Sequence, residues 1–175
     1  MPAVSHIHVE VLGPLIAPFE RSKKPENKKV IGKGEGHNDA FLDKIHDGIN
    51  NNYPEPYYQI SVDELNHFRI MEGGSFPAKC YLWVIDEVSI KLIWEKTSNV
   101  LRGEELPDKP YVCHTNITGC NPAYIGGEIY FCENGHIYVN FKSDRYGWPE
   151  TEEKKQMALQ YMEYVGYKNL IMTEF

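Results

Sequence analysis

The stretch from residue 110 to 147 reads PYVCHTNITGCNPAYIGGEIYFCENGHIYVNFKSDRYG. It predicts three consecutive strands, because apolar and β-branched runs alternate with turn residues at short intervals. The first strand is expected to rise from Pro110 to His114, and Gly127–Cys132 is expected to run back. Asn134-Gly135 is the strongest short-range hairpin signal, so His136–Phe141 should form the third strand.

An antiparallel meander of these strands would gather polar residues at one rim of the sheet. His114 titrates near neutrality and can exchange a proton at working pH. Glu128 can orient it, serve as its partner acid or base, or bind a substrate hydroxyl. Arg145 offers a forked donor suited to phosphate or carboxylate. The sequence alone leaves a second interpretation open, in which His114 bonds to backbone, Glu128 pairs with Arg145 and Ser143-Asp144 forms a turn.

Composition and charge restrict the class of protein. The chain has 175 residues, with 42% hydrophobic and 13% aromatic residues, which predicts one ordered domain spanning residues 1–175. The net charge of -7 argues against a nucleic-acid-binding surface. No apolar run approaches the length of a membrane helix. The four cysteines are expected to be reduced thiols.

Patterns on either side of the central stretch predict further strands and helices. A strand is expected at His6–Leu12, and residues 13–37 should form a mobile loop, since they contain three prolines and GKGEG. Ser61 and Glu64 form a capping-box pattern that should open a short helix towards Phe68. The remaining elements expected are helices at Ala40–Ile49 and from Thr151 onward, and strands at Tyr57–Ile60, Lys79–Ile85, Ser89–Glu95 and Leu170–Met172. The fold class is therefore α+β, a single domain with a mostly antiparallel sheet and a few helices, with its motif-bearing core at 80–172.

Two weak patterns of metal ligands are present. Cys113, Cys120, Cys132 and His136 are suitable ligand types without a CxxC pair. His6 and His8 lie on one face of the first expected strand. Hydrogen-bonded or solvated side chains explain both groups equally well, so the sequence predicts no metal site and no cofactor.

The order of elements from about residue 80 to 170 resembles a domain of plant IQ-motif calmodulin-binding proteins and of related bacterial effector and polymorphic-toxin C-termini. The matching segments are YLWVID at 81–86, HTN at 114–116, GGEI at 126–129, NGHI at 134–137, SDRY at 143–146 and WPETEE at 148–153. That domain has Ser-Gly-His-Tyr where this chain has Ser143–Tyr146, and Ser where this chain has Thr115. The resemblance implies that His114, Glu128, Ser143 and Tyr146 form one constellation. Arg145 stands where that domain has its second histidine, which implies anion binding at this position in place of proton transfer. No IQ segment is present, so calmodulin binding is not implied.

These observations predict a small effector- or toxin-like enzyme domain that acts on an anionic substrate, for example a nucleotide-derived molecule such as NAD. His114 and Glu128 are the expected catalytic acid–base pair. The expected substrate-binding residues are Thr115, Asn116, Ser143, Arg145 and Tyr146. The alternative is a non-enzymatic acidic domain of the immunity or inhibitor type, which would bind a protein partner.

The N-terminus has neither a basic segment nor a clear cleavage site, and this predicts a cytoplasmic protein or one delivered into a target cell without a classical signal peptide. A small anionic molecule or a protein partner is expected, with no nucleic acid and no membrane. Substrate, partner and oligomeric state cannot be read from the residues.

Overall fold

The computed structural model describes residues 12–18, 45–47, 60–70, 80–94, 114–143, 145–147, 149 and 151–173. Six strands and three helices lie in these ranges. In chain order they are β1 His46–Asp47, α1 Val62–Ile70, β2 Tyr81–Ile85, β3 Ile90–Trp94, α2 His114–Thr118, β4 Ile125–Phe131, β5 Ile137–Val139, α3 Glu152–Val165 and β6 Leu170–Met172.

The six strands form one sheet in the order β1-β3-β2-β4-β5-β6. Neighbouring strands are antiparallel except for β5 and β6, which are parallel. The central strands β2 and β4 are buried along their whole length. This arrangement confirms the α+β class with a mostly antiparallel sheet. None of the helices in the described part of the chain is long and apolar enough to cross a membrane.

Helices cover both faces of the sheet, which explains why β2 and β4 are apolar on both sides. Successive residues of a strand point to opposite faces. Trp83 packs in one buried cluster with Tyr161 and Met162 of α3. Leu82, its neighbour in β2, packs in another cluster with Ile117 of α2. The sheet therefore lies between α3 on one face and α2 on the other.

Two hairpins connect neighbouring strands, and the second confirms the one predicted at Asn134-Gly135. Asp86 follows β2, and its Oδ1 accepts hydrogen bonds from Val88 N at 2.8 Å and Ser89 N at 3.0 Å. Its Oδ2 lies 2.6 Å from Lys91 Nζ. The second hairpin joins β4 to β5 through Asn134-Gly135, where Gly135 has φ +88°, a backbone conformation that favours glycine.

The predicted ends of the helices are also confirmed. Glu64 N donates to Ser61 Oγ at 3.0 Å and opens α1. Lys154 N donates to Thr151 Oγ1 at 3.2 Å and opens α3, and Gly166 ends α3 with φ 120°. The last predicted strand is β6.

We expect Thr151→Ala to lower the free energy of unfolding by about 1 kcal/mol, because it removes a hydrogen-bonding N-cap side chain. Denaturant unfolding followed by circular dichroism measures this loss. Gln156→Ala is the matched control, since Gln156 is exposed within the same helix and its truncation should change stability by less than about 0.5 kcal/mol. Equal effects of the two substitutions would contradict the assigned cap.

Two predicted elements are wrong where the structure describes them. The helix expected at Ala40–Ile49 contains β1, whose His46 pairs with Leu92 and whose Asp47 pairs with Lys91 of β3. A helix of ten residues is marginal by itself, and pairing with the edge of β3 satisfies the backbone groups instead. The strand expected from Pro110 to His114 is also wrong at its last residue, because His114 begins α2.

The N-terminal predictions are tested only in part. Ile16, inside the loop predicted to be mobile at 13–37, exchanges two backbone hydrogen bonds with Ala123, at 2.7 and 3.0 Å. Ile16 thus attaches this part of the predicted loop to the fold, and its mobility stays a prediction. Leu12 is helical, not extended, and is buried in the core. The other predicted positions at 6–11, 19–37, 57–59 and 110–113 lie outside the described residues.

Candidate functional site

The side chain of Glu128 lies in the middle of β4, on the face covered by α2, and is only 7% exposed. Position 128 is opposite Leu82 of β2, so Cys80, two residues before Leu82, lies on the same face. Cys80 Sγ is 3.6 Å from Glu128 Oε2, and Asn140 Nδ2 donates to Glu128 Oε1 at 2.9 Å. The carboxyl group is therefore held by an amide and a thiol, both of which are neutral donors.

Asn140, which follows β5, makes three hydrogen bonds to Glu128 of β4 and one to Lys142. Its backbone N donates to Glu128 O at 3.0 Å. Its Oδ1 accepts from Glu128 N at 3.0 Å and from Lys142 N at 3.1 Å, in addition to the bond from Nδ2 to the carboxyl group. From the opposite face, Trp83 Nε1 donates to the carbonyls of Glu128 and Asn140, both at 3.2 Å. Hydrogen bonds from both faces of the sheet thus fix the backbone at Glu128 and Asn140, and with it the position of the carboxyl group.

Burial raises the pKa of Glu128 above its ordinary value of 4.5, because the low dielectric of the interior disfavours the charged form. Hydrogen bonds from Asn140 and Cys80 and the charge of Lys142 act in the opposite direction. Desolvation is the largest of these effects. The protonated form of Glu128 is therefore present at higher pH than for an exposed glutamate.

His114, the first residue of α2, lies against β4 on the same face as Glu128. Its Nε2 is 2.8 Å from Gly127 O. Since a carbonyl only accepts, Nε2 carries a proton. A Cβ atom added at Gly126 would lie 3.0 Å from His114 Cδ2, so the absence of a side chain there leaves room for the imidazole. Positions 126 and 128 point to the same face, so His114 and Glu128 lie on one face of β4.

Tyr146 holds the end of α2 on this face of the sheet. Its hydroxyl donates to Asn121 O at 2.7 Å and lies 2.6 Å from Thr118 Oγ1. Burial raises the pKa of Tyr146 to about 12, so the phenol is neutral at pH 7. Ser143 Oγ accepts from Tyr146 N at 3.1 Å. Ser143 therefore supports the turn that places Tyr146, as the second interpretation of the sequence expected.

The other predicted site residues lie around the same turn and helix. Thr115 and Asn116 are buried in α2, whereas Arg145 is partly exposed. The charge of Arg145 lowers the pKa of Tyr146. The hydrogen-bond partners of the Glu128 carboxyl group are Asn140 and Cys80, and the charge of Lys142 also lowers its pKa. Asp144 lies outside the described residues.

The residues predicted to gather at one rim of the sheet do not lie at strand ends, since Glu128 is in the middle of β4 and His114 begins a helix. His114, Thr115, Asn116, Glu128, Ser143 and Tyr146 are all buried. His114, Thr115 and Asn116 belong to α2, which begins at His114. His114 and Glu128 share one face of β4, with Glu128 in the middle of that strand and not at its end.

The two hydrogen-bond partners of the Glu128 carboxyl group, Cys80 and Asn140, were not predicted as site residues. Cys80 lies within the predicted strand Lys79–Ile85 and Asn140 within His136–Phe141, and neither is part of a local motif. One feature of the sequence could have indicated such a partner, namely the polar Asn140 between the apolar residues Val139 and Phe141.

The described residues contain no group of three or more His, Cys, Asp or Glu side chains placed to hold a metal ion. Cys80, Cys120 and Cys132 are buried free thiols. Cys113, His6 and His8, the other ligands considered, lie outside the described residues.

Comparisons with protein-family models, curated proteins and solved structures gave no match for this chain. The resemblance to the IQ-motif protein domain stays a prediction, and any function must be argued from the geometry of the site.

Proposed function

We propose that this chain is a small effector- or toxin-like enzyme domain that carries out acid–base chemistry on an anionic substrate. The observation that carries this proposal is the buried carboxyl group of Glu128. It is held by two neutral donors, and desolvation raises its pKa. Buried carboxyl groups with a raised pKa are typical of catalytic acids and bases, because they titrate closer to neutral pH.

Glu128 is the proposed general acid, which donates a proton from its neutral form and recovers it in a later step. His114 is the proposed partner on the same face of β4. Because Gly127 O fixes the proton on His114 Nε2, proton exchange by the neutral ring takes place at Nδ1. Thr115, Asn116, Ser143 and Tyr146 position α2 and the adjoining turn around this pair. A nucleotide-derived anion such as NAD remains the proposed substrate class.

The test compares bacteria that express the wild type, Glu128→Gln and His114→Gln, each shown by circular dichroism and thermal melting to be folded. We expect the wild type to arrest growth and deplete a nucleotide pool. Each variant should reduce the rate of depletion by about 10²-fold or more, which is typical for loss of a general acid or base.

Glu163→Gln is the matched control, since it makes the same chemical change at an exposed position of α3. A Glu128→Gln variant that depletes the same pool as fast as Glu163→Gln would exclude Glu128 from the chemistry. Absence of any metabolite or growth effect from the wild type would exclude the enzyme and favour the second candidate.

The second candidate is an acidic domain that binds a basic protein partner. The net charge of -7 favours it, since complementary charge accelerates association. Exposed apolar side chains also favour it, in particular Tyr164 on α3 and Val88 in the turn after β2.

A further inference from the structure

A pocket of about 60 Å³ lies where β5 and β6 end beside the start of α3. Lys142 reaches it from the segment after β5, Thr173 from the end of β6 and Lys155 from the first turn of α3. The two strand ends are held together by the hydrogen bond from Thr173 N to Val139 O, at 2.8 Å. Elements separate in sequence therefore form the walls of this pocket.

Two lysine side chains give this pocket positive charge on a chain whose net charge is -7. Lys155 Nζ lies 3.2 Å from Glu152 Oε1, and the Glu152 side chain is 71% exposed. An exposed ion pair of this kind contributes little, so an anion in the pocket can compete with Glu152 for Lys155. Lysine is a point charge that binds phosphate and carboxylate groups without a fixed orientation.

The size of the pocket limits which part of a ligand it can hold. A single water needs roughly 10–15 Å³ of such volume, whereas pockets for whole drug-sized ligands have about 300–1,000 Å³. The pocket therefore accommodates one phosphate or carboxylate group, with the remainder of a larger ligand outside it.

Asn140 connects this pocket to the Glu128 site. It is part of the pocket lining, and its Nδ2 donates to Glu128 Oε1 at 2.9 Å. Lys142, on the same lining, is also the cation whose charge acts on Glu128. The pocket and the Glu128 site therefore share Asn140.

We infer that Lys142 and Lys155 bind the phosphate or carboxylate group of an anionic ligand in this pocket. The identification of that ligand as the substrate rests on the proposed function of Glu128, whereas anion binding itself does not. Lys142 and Lys155 thus take the anion-binding role that the sequence suggested for Arg145.

The experiment titrates inorganic phosphate and, separately, acetate into the purified full chain at constant ionic strength, followed by isothermal calorimetry. Half-saturation on the order of 1 mM is expected for the preferred anion, because so small a ligand has few atoms with which to bind. The double variant Lys142→Gln/Lys155→Gln should bind about tenfold more weakly or worse, since it loses two charge-assisted contacts. Preference for phosphate or for acetate identifies the group that the pocket takes.

Lys168→Gln is the matched control, because it removes the same charge from an exposed position. Absence of saturable binding of either anion by the wild type would overturn the inference. A loss in the double variant no larger than in Lys168→Gln would overturn it as well. Anion binding is measured without turnover, so failure of this site and failure of the proposed chemistry give different results.

Discussion

The Gly127→Ala variant is expected to lose about 3–5 kcal/mol of its free energy of unfolding, at the upper end of the effects of single substitutions. A Cβ atom at this position would collide with the backbone carbonyl oxygen of Asn140 and lie 2.9 Å from Phe141 Cα. Trp83 Nε1 and the backbone pairing of Asn140 with Glu128 fix this carbonyl group. The chain cannot move aside without breaking these bonds.

Denaturant unfolding of the purified variant measures this loss, which corresponds to a melting temperature lower by roughly 10 °C. Gly135→Ala is the control for the cost of replacing a glycine. Nothing lies within 4 Å of a Cβ atom there, and only the backbone φ of +88° is strained, at a cost of about 1 kcal/mol. If the two variants were equally stable, the close crossing of Asn140 over Gly127 would be refuted.

The elements predicted correctly from the sequence are those that depend on neighbouring residues. Ser61 and Thr151 bond to backbone groups three residues away, and Asn134-Gly135 bends the chain within one turn. Such patterns act before any tertiary contact forms, and they are therefore readable in the sequence.

The elements predicted wrongly depend on contacts with distant residues. His46 has a strand conformation because it pairs with Leu92, which its own neighbours do not indicate. His114 begins a helix, and the helix packs over β4, where Gly126 leaves space for the imidazole. The β-branched residues near this segment favoured a strand, but the packing of α2 on the sheet determines the result.

The candidate site was predictable only in its two titratable residues. His114 and Glu128 stand out because histidine and glutamate exchange protons. The partners of Glu128 are separated from it by 12 residues in the case of Asn140 and 48 in the case of Cys80. Strand order and register decide these contacts, and the order β2-β4-β5 includes a non-sequential neighbour that local patterns do not specify.

Asn140→Asp should destabilise the chain by about 3–5 kcal/mol at neutral and higher pH, since it places an uncompensated charge in a buried site. One aspartate oxygen can still accept from Glu128 N and Lys142 N. The other replaces the amide nitrogen that lies 2.9 Å from Glu128 Oε1. Two carboxylates this close cannot both be ionised, so one must keep its proton for the fold to persist.

The pH dependence follows from the direction of the pKa change. A carboxyl group whose pKa is raised in the folded state binds more protons there than in the unfolded chain, and stability then falls as pH rises. For Glu128 this fall begins near its ordinary value of 4.5 and continues to the raised pKa of the folded state. Asn140→Asp should steepen the fall and extend it to higher pH, whereas Glu128→Gln should remove the contribution of Glu128.

Unfolding free energies of the four proteins of a double-mutant cycle, measured at about pH 5 and about pH 8, test this pairing. In the Glu128→Gln/Asn140→Asp double variant the amide and the carboxyl group are exchanged. One donor again faces one acceptor, so most of the stability lost in Asn140→Asp at the higher pH should return. If, at about pH 8, the double variant loses as much unfolding free energy as the two single variants together, then Glu128 and Asn140 do not form the buried pair on which the proposed acid–base site depends.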